Sequence, residues 1–229
     1  MFHRLLACLH ISVLYAAGEP GFVELFDGKT LSGWEGDPVY WSVKEGVIVG
    51  EVTPGTLLKR NSFLVWKGGK VGDFELVVEY RVSAQGNSGI NYRSVETPGL
   101  KWSLTGYQAD IEGGDKHTGQ NYEERGRTFL AYRGQGVVLR PNAKPEVVKV
   151  IGDPAELQKA VKKGDWNTCR IVAEGNVMRH FVNDVLMSEV EDLDAGKRVM
   201  EGLIGVQVHV GPPMKIEYRK IALRRIGDG

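Results

Sequence analysis

The stretch from Thr168 to Val190, TCRIVAEGNVMRHFVNDVLMSEV, decides the fold class of this chain. Apolar and polar residues alternate along three short runs, which is the period of a β-strand with one buried face. The pairs Gly175-Asn176 and Asn183-Asp184 separate the runs, and such residues form the two-residue turns of β-hairpins. The stretch is therefore predicted to be a three-stranded meander.

Similar alternating runs recur through the rest of the chain, separated by turn residues such as Glu45-Gly46. The 30 glycines among 229 residues are scattered without a period, as expected for many tight turns. This pattern is typical of an all-β sandwich or barrel. Strands are predicted at Phe22–Asp27, Trp41–Lys44, Val47–Val52, Phe74–Val82, Gly89–Ser94, Tyr107–Glu112, Thr168–Glu174, Val177–Val182, Val185–Val190, Leu203–Val210 and Ile216–Leu223.

One helix is predicted between the strands. Asp153 can cap it, Pro154 suits the first helical position, and Glu156 completes a capping box. Gly164 would end it, so that the apolar residues Leu157, Ala160 and Val161 pack on the sandwich.

The first eighteen residues read as a signal peptide. Arg4 supplies the positive start, an apolar run follows to Ala17, and Ala16-Ala17-Gly18 offers small residues for cleavage. The apolar run is too short to span a bilayer as a helix. We therefore expect an exported protein, periplasmic or extracellular, with no transmembrane segment in the mature chain and one domain over residues 22–225.

Charge and cysteine content narrow the partners. The formal net charge is zero, so nothing favours nucleic acid or an anionic membrane. Cys8 falls in the signal region and Cys169 in an alternating strand, so no disulfide is expected. His180 alternates with Met178 and Val182 and is predicted to be structural.

Three predicted strands carry polar side chains with short, directional hydrogen-bonding groups on one face. Alternation places Gln108, Asp110 and Glu112 together, and it separates Asn91 and Arg93 from Ile90 and Tyr92. Gln207 and His209 likewise face away from three valines, and Glu79 lies on the polar side of its strand. Each face alone could be an ordinary solvated one. Together, amides, carboxylates, Arg and His suit the hydroxyls of a small-molecule carbohydrate.

The segment from Gly113 to Arg127 is polar and glycine-rich and is predicted to be a long loop beside the site. Within it, Asp115 and His117 could join Asp110 and Glu112 as ligands of a divalent cation. Their spacing matches no defined metal loop, so a polar loop without a metal is the alternative. Trp102 lies in a predicted loop, where it either packs on the protein or stacks on a sugar ring.

Four short motifs resemble a known family. Phe26-Asp27-Gly28-Lys29-Thr30-Leu31-Ser32-Gly33-Trp34 is similar to the opening motif of the 3-keto-disaccharide hydrolase domain family. Asn87-Ser88-Gly89-Ile90-Asn91-Tyr92-Arg93, Gly164-Asp165-Trp166-Asn167 and Gly205-Val206-Gln207-Val208-His209 match later motifs in the same order. The resemblance covers essentially the mature chain. It implies a concanavalin-like jelly roll of two curved antiparallel sheets, with the ligand on the concave face.

The resemblance also implies an activity, the cleavage of glycosides already oxidised at the 3-hydroxyl. A base removes the acidified C2 proton, the C1 substituent is eliminated, and water adds to the resulting 2-hydroxyglucal. On this reading Asp110 is the base or a metal ligand, with His209 as the alternative base or acid. Arg93 stabilises the enolate oxygen. Asn91, Gln108, Gln207 and Glu79 bind the substrate.

Two observations keep rival functions open. Laminarinase-type jelly rolls use Glu-x-Asp-x-Glu, whereas this chain has Gln108-Ala109-Asp110-Ile111-Glu112, and an amide cannot act as the nucleophile. Many members of the keto-sugar family carry Glu and then Gln two residues later on this strand. Here Gln108 and Asp110 reverse that order, which moves the carboxylate by about 6–7 Å. A non-catalytic carbohydrate-binding module and, with less support, a conventional glycoside hydrolase remain alternatives, as does an interaction module without a small ligand.

Overall fold

A computed structural model describes residues 20–227 of the chain. The predicted signal peptide lies outside these residues. The strands and the helix of the described part are β1 (Val23–Glu24), β2 (Trp34–Glu35), β3 (Trp41–Lys44), β4 (Val47–Val52), β5 (Ser62–Trp66), β6 (Phe74–Val82), β7 (Asn87–Glu96), β8 (Leu104–Glu112), β9 (Asn121–Glu124), β10 (Thr128–Ala131), β11 (Gln135–Leu139), β12 (Glu146–Val150), α1 (Pro154–Gln158), β13 (Asn167–Glu174), β14 (Val177–Val182), β15 (Val185–Asp192), β16 (Leu203–Val208) and β17 (Met214–Arg225).

These strands form two sheets. The ten-stranded sheet has the order β12-β11-β15-β14-β13-β6-β17-β4-β3, with β1 also paired to β17. The seven-stranded sheet has the order β10-β9-β8-β7-β16-β5-β2. Neighbouring strands are antiparallel except β11 and β15, which run parallel. The predicted all-β sandwich is confirmed.

One hydrophobic core lies between the sheets. From the seven-stranded sheet Ile90, Tyr92, Ala109, Ile111 and Val206 point into it, and from the ten-stranded sheet Phe74, Leu76, Val78, Ile171 and Ile216 do so. These residues alternate along their strands, so every second side chain of the seven-stranded sheet points away from the core, onto what we call its outer face.

A second, smaller cluster of Phe63, Val65 and Leu104 lies outside this core. The connection between β7 and β8 packs near it, because the Trp102 carbonyl oxygen accepts a hydrogen bond from the Phe63 amide at 3.0 Å. Satellite clusters of this kind are common under long loops. The loop therefore packs over the part of the outer face that carries this cluster.

The meander predicted from Thr168 to Val190 is present as β13, β14 and β15. Its second turn has positive φ at both Asn183 (48°) and Asp184 (67°), as a two-residue type I′ turn requires. The strands missed from sequence are β2, β5 and the four from β9 to β12.

The predicted helix is present, but it is shorter than predicted. Asp153 caps it by accepting hydrogen bonds from the Ala155 and Glu156 amides. It ends at Gln158 rather than running to Gly164, and Leu157 and its apolar neighbours are only partly buried. The Glu156 side chain pairs with Lys159 at 2.7 Å, so no capping-box contact is formed.

Candidate functional site

Strand pairing brings the predicted polar residues of β7, β8 and β16 onto the outer face of the seven-stranded sheet. Gln108 pairs with Asn91, and Asp110 pairs with Gly89. Gly89 has a steric role, because a Cβ there would lie 2.4 Å from the Gln108 Cδ. The missing side chain thus leaves the space across β7 into which Gln108 extends.

Gln108 connects two strands through its amide. Its Nε2 donates to the Asp110 Oδ1 at 2.7 Å, and its Oε1 accepts from the Gln207 Nε2 at 3.0 Å. Gln207 Nε2 also lies 3.5 Å from a Glu124 oxygen. Because donor and acceptor ends of Gln108 are both engaged, its orientation is fixed, and it holds the Asp110 carboxylate in place.

A cavity of about 310 Å³ opens beside this hydrogen-bonded chain, and we call it the outer-face cavity. Phe129 stands at the centre of an aromatic wall, with ring centroids 5.1 Å from Tyr122 and 5.8 Å from His117. The full lining is Asn61, Asn87, Gln108, Asp110, His117, Tyr122, Glu124, Phe129 and His209. An aromatic wall facing carboxylates and amides is the usual make-up of a sugar site.

The two carboxylates of the cavity, Asp110 and Glu124, both have raised pKa values. Burial raises the pKa of Asp110 to about 8, and the negative charges of Glu124 and Glu112 add to the effect against the hydrogen bond from Gln108. Burial also raises the pKa of Glu124. Among the described residues neither carboxylate forms a salt bridge. Asp110 therefore exchanges a proton near neutral pH.

His209, the other predicted acid or base, also lines the cavity. Burial lowers its pKa, and the nearby His117 lowers it further. Its imidazole is therefore neutral at physiological pH, so it can donate one hydrogen bond and accept another.

Glu124 and Asn61 also line the cavity, although neither was predicted as a site residue. Glu124 falls in a charged run that could close over a ligand, but the run resembles a solvated charge cluster more closely. The strand β9 that carries it lacks apolar alternation, because its inward residues are Asn121, which donates to the Tyr92 hydroxyl, and Glu123, which pairs with Arg127. Asn61 precedes β5, and its Nδ2 lies 3.4 Å from both Glu124 oxygens. Both residues reach the site through contacts between segments that are distant along the chain, and the sequence alone does not show these contacts.

Arg93 is not in the cavity, and its predicted role at the enolate oxygen is wrong. A bulge between Tyr92 and Val95 breaks the alternation, and Arg93 has a left-handed φ of 44°. Its guanidinium is 1% exposed and donates to the Gly72 and Gly175 carbonyl oxygens and to the Asp73 carboxylate. Arg93 thus ties the two sheets together.

Three predicted substrate-binding residues, Glu79, Asn91 and Gln207, do not line the cavity. Glu79 is on the ten-stranded sheet, where it pairs with Arg219, so it cannot reach the cavity. Asn91 and Gln207 are on the correct face but are fully buried beneath it. Gln207 positions Gln108, whereas both amide atoms of Asn91 lack a partner among the described residues.

The predicted cation ligands do not converge. Glu112 accepts a hydrogen bond from the His117 amide at 2.6 Å, and Asp115 pairs with Lys163 at the surface. Within residues 20–227 no three His, Cys, Asp or Glu side chains gather as a metal site would require. No chemical step is therefore assigned to a metal here.

His180, Cys169 and Trp34 have structural roles. His180 is buried, its pKa is lowered to about 4 by burial, and it contacts the Tyr92 hydroxyl at 2.8 Å. Cys169 is a buried free thiol whose pKa burial raises to about 12. Trp34 packs in the core and donates to the Leu25 carbonyl oxygen.

The fold and the site define a class of protein, a concanavalin-like jelly roll with a carbohydrate-type cavity on one sheet. Within that class, the chain belongs to the 3-keto-α-glucoside-1,2-lyase-like domain family, whose model matches residues 21–224. The fold expected from the sequence motifs is confirmed.

Individual relatives are distant. The chain is 36% identical over 87 residues to a 3-keto-disaccharide hydrolase of Bacteroides thetaiotaomicron, a match that covers 33% of this chain and 28% of that protein. It is similar to a glycosyl hydrolase-like protein of Parabacteroides distasonis, with a TM-score of 0.58, 18% identity and coverage of 90% and 94% of the two chains. It is also similar to the carbohydrate-binding module CBM66 of Bacillus subtilis, with a TM-score of 0.52, 14% identity and coverage of 89% and 95%. At these identities, the two structures establish the fold alone.

Within residues 20–227 no helix is long and apolar enough to cross a bilayer.

Proposed function

We propose that this protein is an exported enzyme that cleaves 3-keto-glycosides by elimination and hydration. The observation that carries the proposal is Asp110, a carboxylate 8% exposed in a cavity, with no cation beside it and a pKa raised to about 8. A general base works best when its pKa lies near the operating pH. A carboxylate that only held a fold together would be expected to have a charged partner.

In the first step Asp110 removes the proton from C2, which the 3-keto group acidifies. Electrons from the C2–H bond delocalise onto the C3 oxygen, and the enolate then forms the C1–C2 double bond as the C1 substituent leaves. The departing oxygen takes the proton that Asp110 removed from C2, which leaves Asp110 ionised again, so the products are an alcohol and the unsaturated keto sugar. In the second step water adds its hydroxyl to C1 and its proton to C2, and no redox change occurs overall.

The enolate oxygen requires a hydrogen-bond donor, and Arg93 does not reach the cavity. We assign this role to His209, whose lowered pKa keeps its imidazole neutral. A neutral imidazole donates a proton less readily than an imidazolium, but its acidity is closer to that of an enol and suits stabilisation by a hydrogen bond. Gln108 keeps the Asp110 carboxylate directed at C2.

A direct assay tests the reaction. The purified protein is incubated with a 3-keto-disaccharide and with its unoxidised parent, and monosaccharide release is followed. We expect release from the oxidised sugar alone. When the reaction is run in D₂O, the new product should carry deuterium at C2 above the level set by spontaneous exchange, because hydration delivers a solvent proton there.

Two rivals predict other outcomes. Binding of the keto sugar without cleavage would leave a carbohydrate-binding module, a function supported by the jelly-roll neighbours. Cleavage of the parent sugar without deuterium at C2 would mean conventional hydrolysis. Against that reading, an amide, Gln108, occupies the position of the nucleophile and is committed to Asp110 and Gln207.

Export rests on residues 1–18 and is part of the proposal. A mature chain starting near residue 19, found by N-terminal sequencing of protein recovered outside the cytoplasm, would support it. Recovery of the full-length chain in the cytoplasm would contradict it.

A further inference from the structure

A second cavity, of about 260 Å³, adjoins the outer-face cavity, and we call it the loop cavity. Asn61 lines both cavities. The Asn61 Oδ1 accepts from the Val210 amide at 2.9 Å, and its Nδ2 faces Glu124. These hydrogen bonds hold Asn61 in place at the boundary between the two cavities. A ligand longer than one sugar ring could occupy both cavities by extending past this residue.

The loop cavity is electropositive. Lys59, Arg60 and Lys101 line it, and none of them pairs with a carboxylate in the described part of the chain. The acid in its lining, Asp37, accepts a hydrogen bond from the Val39 amide in a local turn. Three cations without an acidic partner attract an anion, and an Arg guanidinium can bind a planar anion through two parallel hydrogen bonds.

The backbone beside the loop cavity adopts an uncommon conformation. Trp102 has a left-handed φ of 54°, which is rare for a bulky residue, and its carbonyl oxygen is held by the Phe63 amide. Strained backbone is frequent at binding sites. The Ser62 hydroxyl takes no part in this cavity, because Ser62 lies on the core-facing side of β5 with Leu64.

We propose that the loop cavity binds the leaving group of the substrate, and that this group is a sugar carrying an anion, a carboxylate or a sulfate ester. The inference rests on the proposed function, because cleavage at C1 beside Asp110 requires the leaving group to lie next to the outer-face cavity. Tyr40 offers aromatic surface for its ring, as does the face of Trp102 that Lys101 leaves uncovered. Arg60, Lys59 and Lys101 attract its charge.

The test compares 3-keto-glucosides that differ only in the leaving sugar. One carries a 6-carboxylate, a second the corresponding 6-carboxamide, and a third a 6-sulfate. At low salt we expect kcat/KM for at least one anionic substrate to exceed that for the amide by about fivefold, mainly through KM. The preference should shrink in 0.5 M salt and be lost in R60Q, whereas K144Q, at an exposed residue outside the cavity, should retain it.

Equal kcat/KM for the amide and both anions in the wild-type protein would overturn the proposal. So would a preference that survives in R60Q and in the double variant K59Q/K101Q, or one that K144Q also removes. Whether the carboxylate or the sulfate gains more identifies the anion.

A failure of the proposed function is separable from a failure of this inference. If no 3-keto-glycoside is cleaved, methyl glucuronide and its amide are titrated instead, with the indole signal that W102F removes as the NMR probe. A selective shift of that signal by the acid, absent in R60Q, retains the anionic subsite without the lyase activity. No selective shift overturns the subsite as well.

Discussion

The outer faces of both sheets carry buried carboxylates, but the two sets differ in their hydrogen-bond partners. On the ten-stranded sheet, buried Glu75 contacts Arg170 and Arg224, and Glu217 lies 2.7 Å from Arg81 and 2.9 Å from Lys215. On the seven-stranded sheet, Asp110 and Glu124 are just as buried, yet hydrogen-bond only to amides.

The difference appears in proton affinity. Burial alone would raise the pKa of Glu217, but hydrogen bonds from Arg81 and Lys215 outweigh it and lower the pKa. At Asp110 burial outweighs the single hydrogen bond from Gln108, and the pKa rises to about 8. An unpaired buried carboxylate costs stability, so its presence on one face alone marks that face as the functional one.

The largest expected effect comes from removing the unpaired charge. D110N keeps the shape of the side chain and can still accept from Gln108, but it cannot remove a proton. We expect kcat for a 3-keto-disaccharide to fall by roughly 10³-fold, within the range of general-base catalysis. Monosaccharide release measures it, and activity retained in D110N would exclude Asp110 as the base.

D115N is the matched control for this variant. Asp115 is the same residue type five positions along the chain, but it is exposed and pairs with Lys163. Its replacement should leave kcat unchanged. In the wild-type protein kcat/KM should rise with pH through an inflection near 8, because the base works only when deprotonated. A flat profile would contradict the assignment of Asp110.

Alternation along single strands predicted the contents of each face well. Gln108, Asp110 and His209 line the cavity, and Glu79 is correctly placed on the polar side of its strand. Alternation could not say which faces share a sheet, so Glu79 was grouped with residues of the opposite sheet. It also failed at Arg93, where a bulge turns the side chain inward.

Pairing between distant segments supplied what the sequence could not. Whether a carboxylate is neutralised depends on partners such as Arg81 and Glu217, which are 136 positions apart. Glu124 was missed because the inward residues of its strand, Asn121 and Glu123, are polar rather than apolar. A period-2 apolar signal detects strands only where they pack on hydrocarbon.

A smaller effect is expected from the glycine beneath Gln108. A Cβ at Gly89 would lie 2.4 Å from the Gln108 Cδ, so G89A should displace Gln108 from Asp110 and Gln207. Misplacing a base by about 1 Å can cost on the order of 100-fold in rate, and we expect a loss of kcat of about 10- to 100-fold. G55A, where the added Cβ meets only the Thr53 hydroxyl at 3.8 Å, is the control. Equal kcat in both variants would show that Gln108 does not position Asp110.

The smallest effects compare the stability of the two faces directly. Asp110 has a folded-state pKa above its unfolded value, so its ionisation destabilises the fold as pH rises towards 8, and D110N should raise Tm at pH 9 by roughly 5 °C. Glu217 has a lowered pKa, so its stabilising effect is present at neutral pH and is lost on acidification. E217Q should therefore lower Tm at pH 7 by roughly 1–3 °C, and this difference should shrink as the pH falls and Glu217 becomes protonated. Calorimetry of both variants from acidic pH to pH 9 would test the contrast. The ionised Asp110 is destabilised by its surroundings, whereas the ionised Glu217 is stabilised by its partners. Shifts of Tm with the same sign in both variants at pH 9 would therefore refute it.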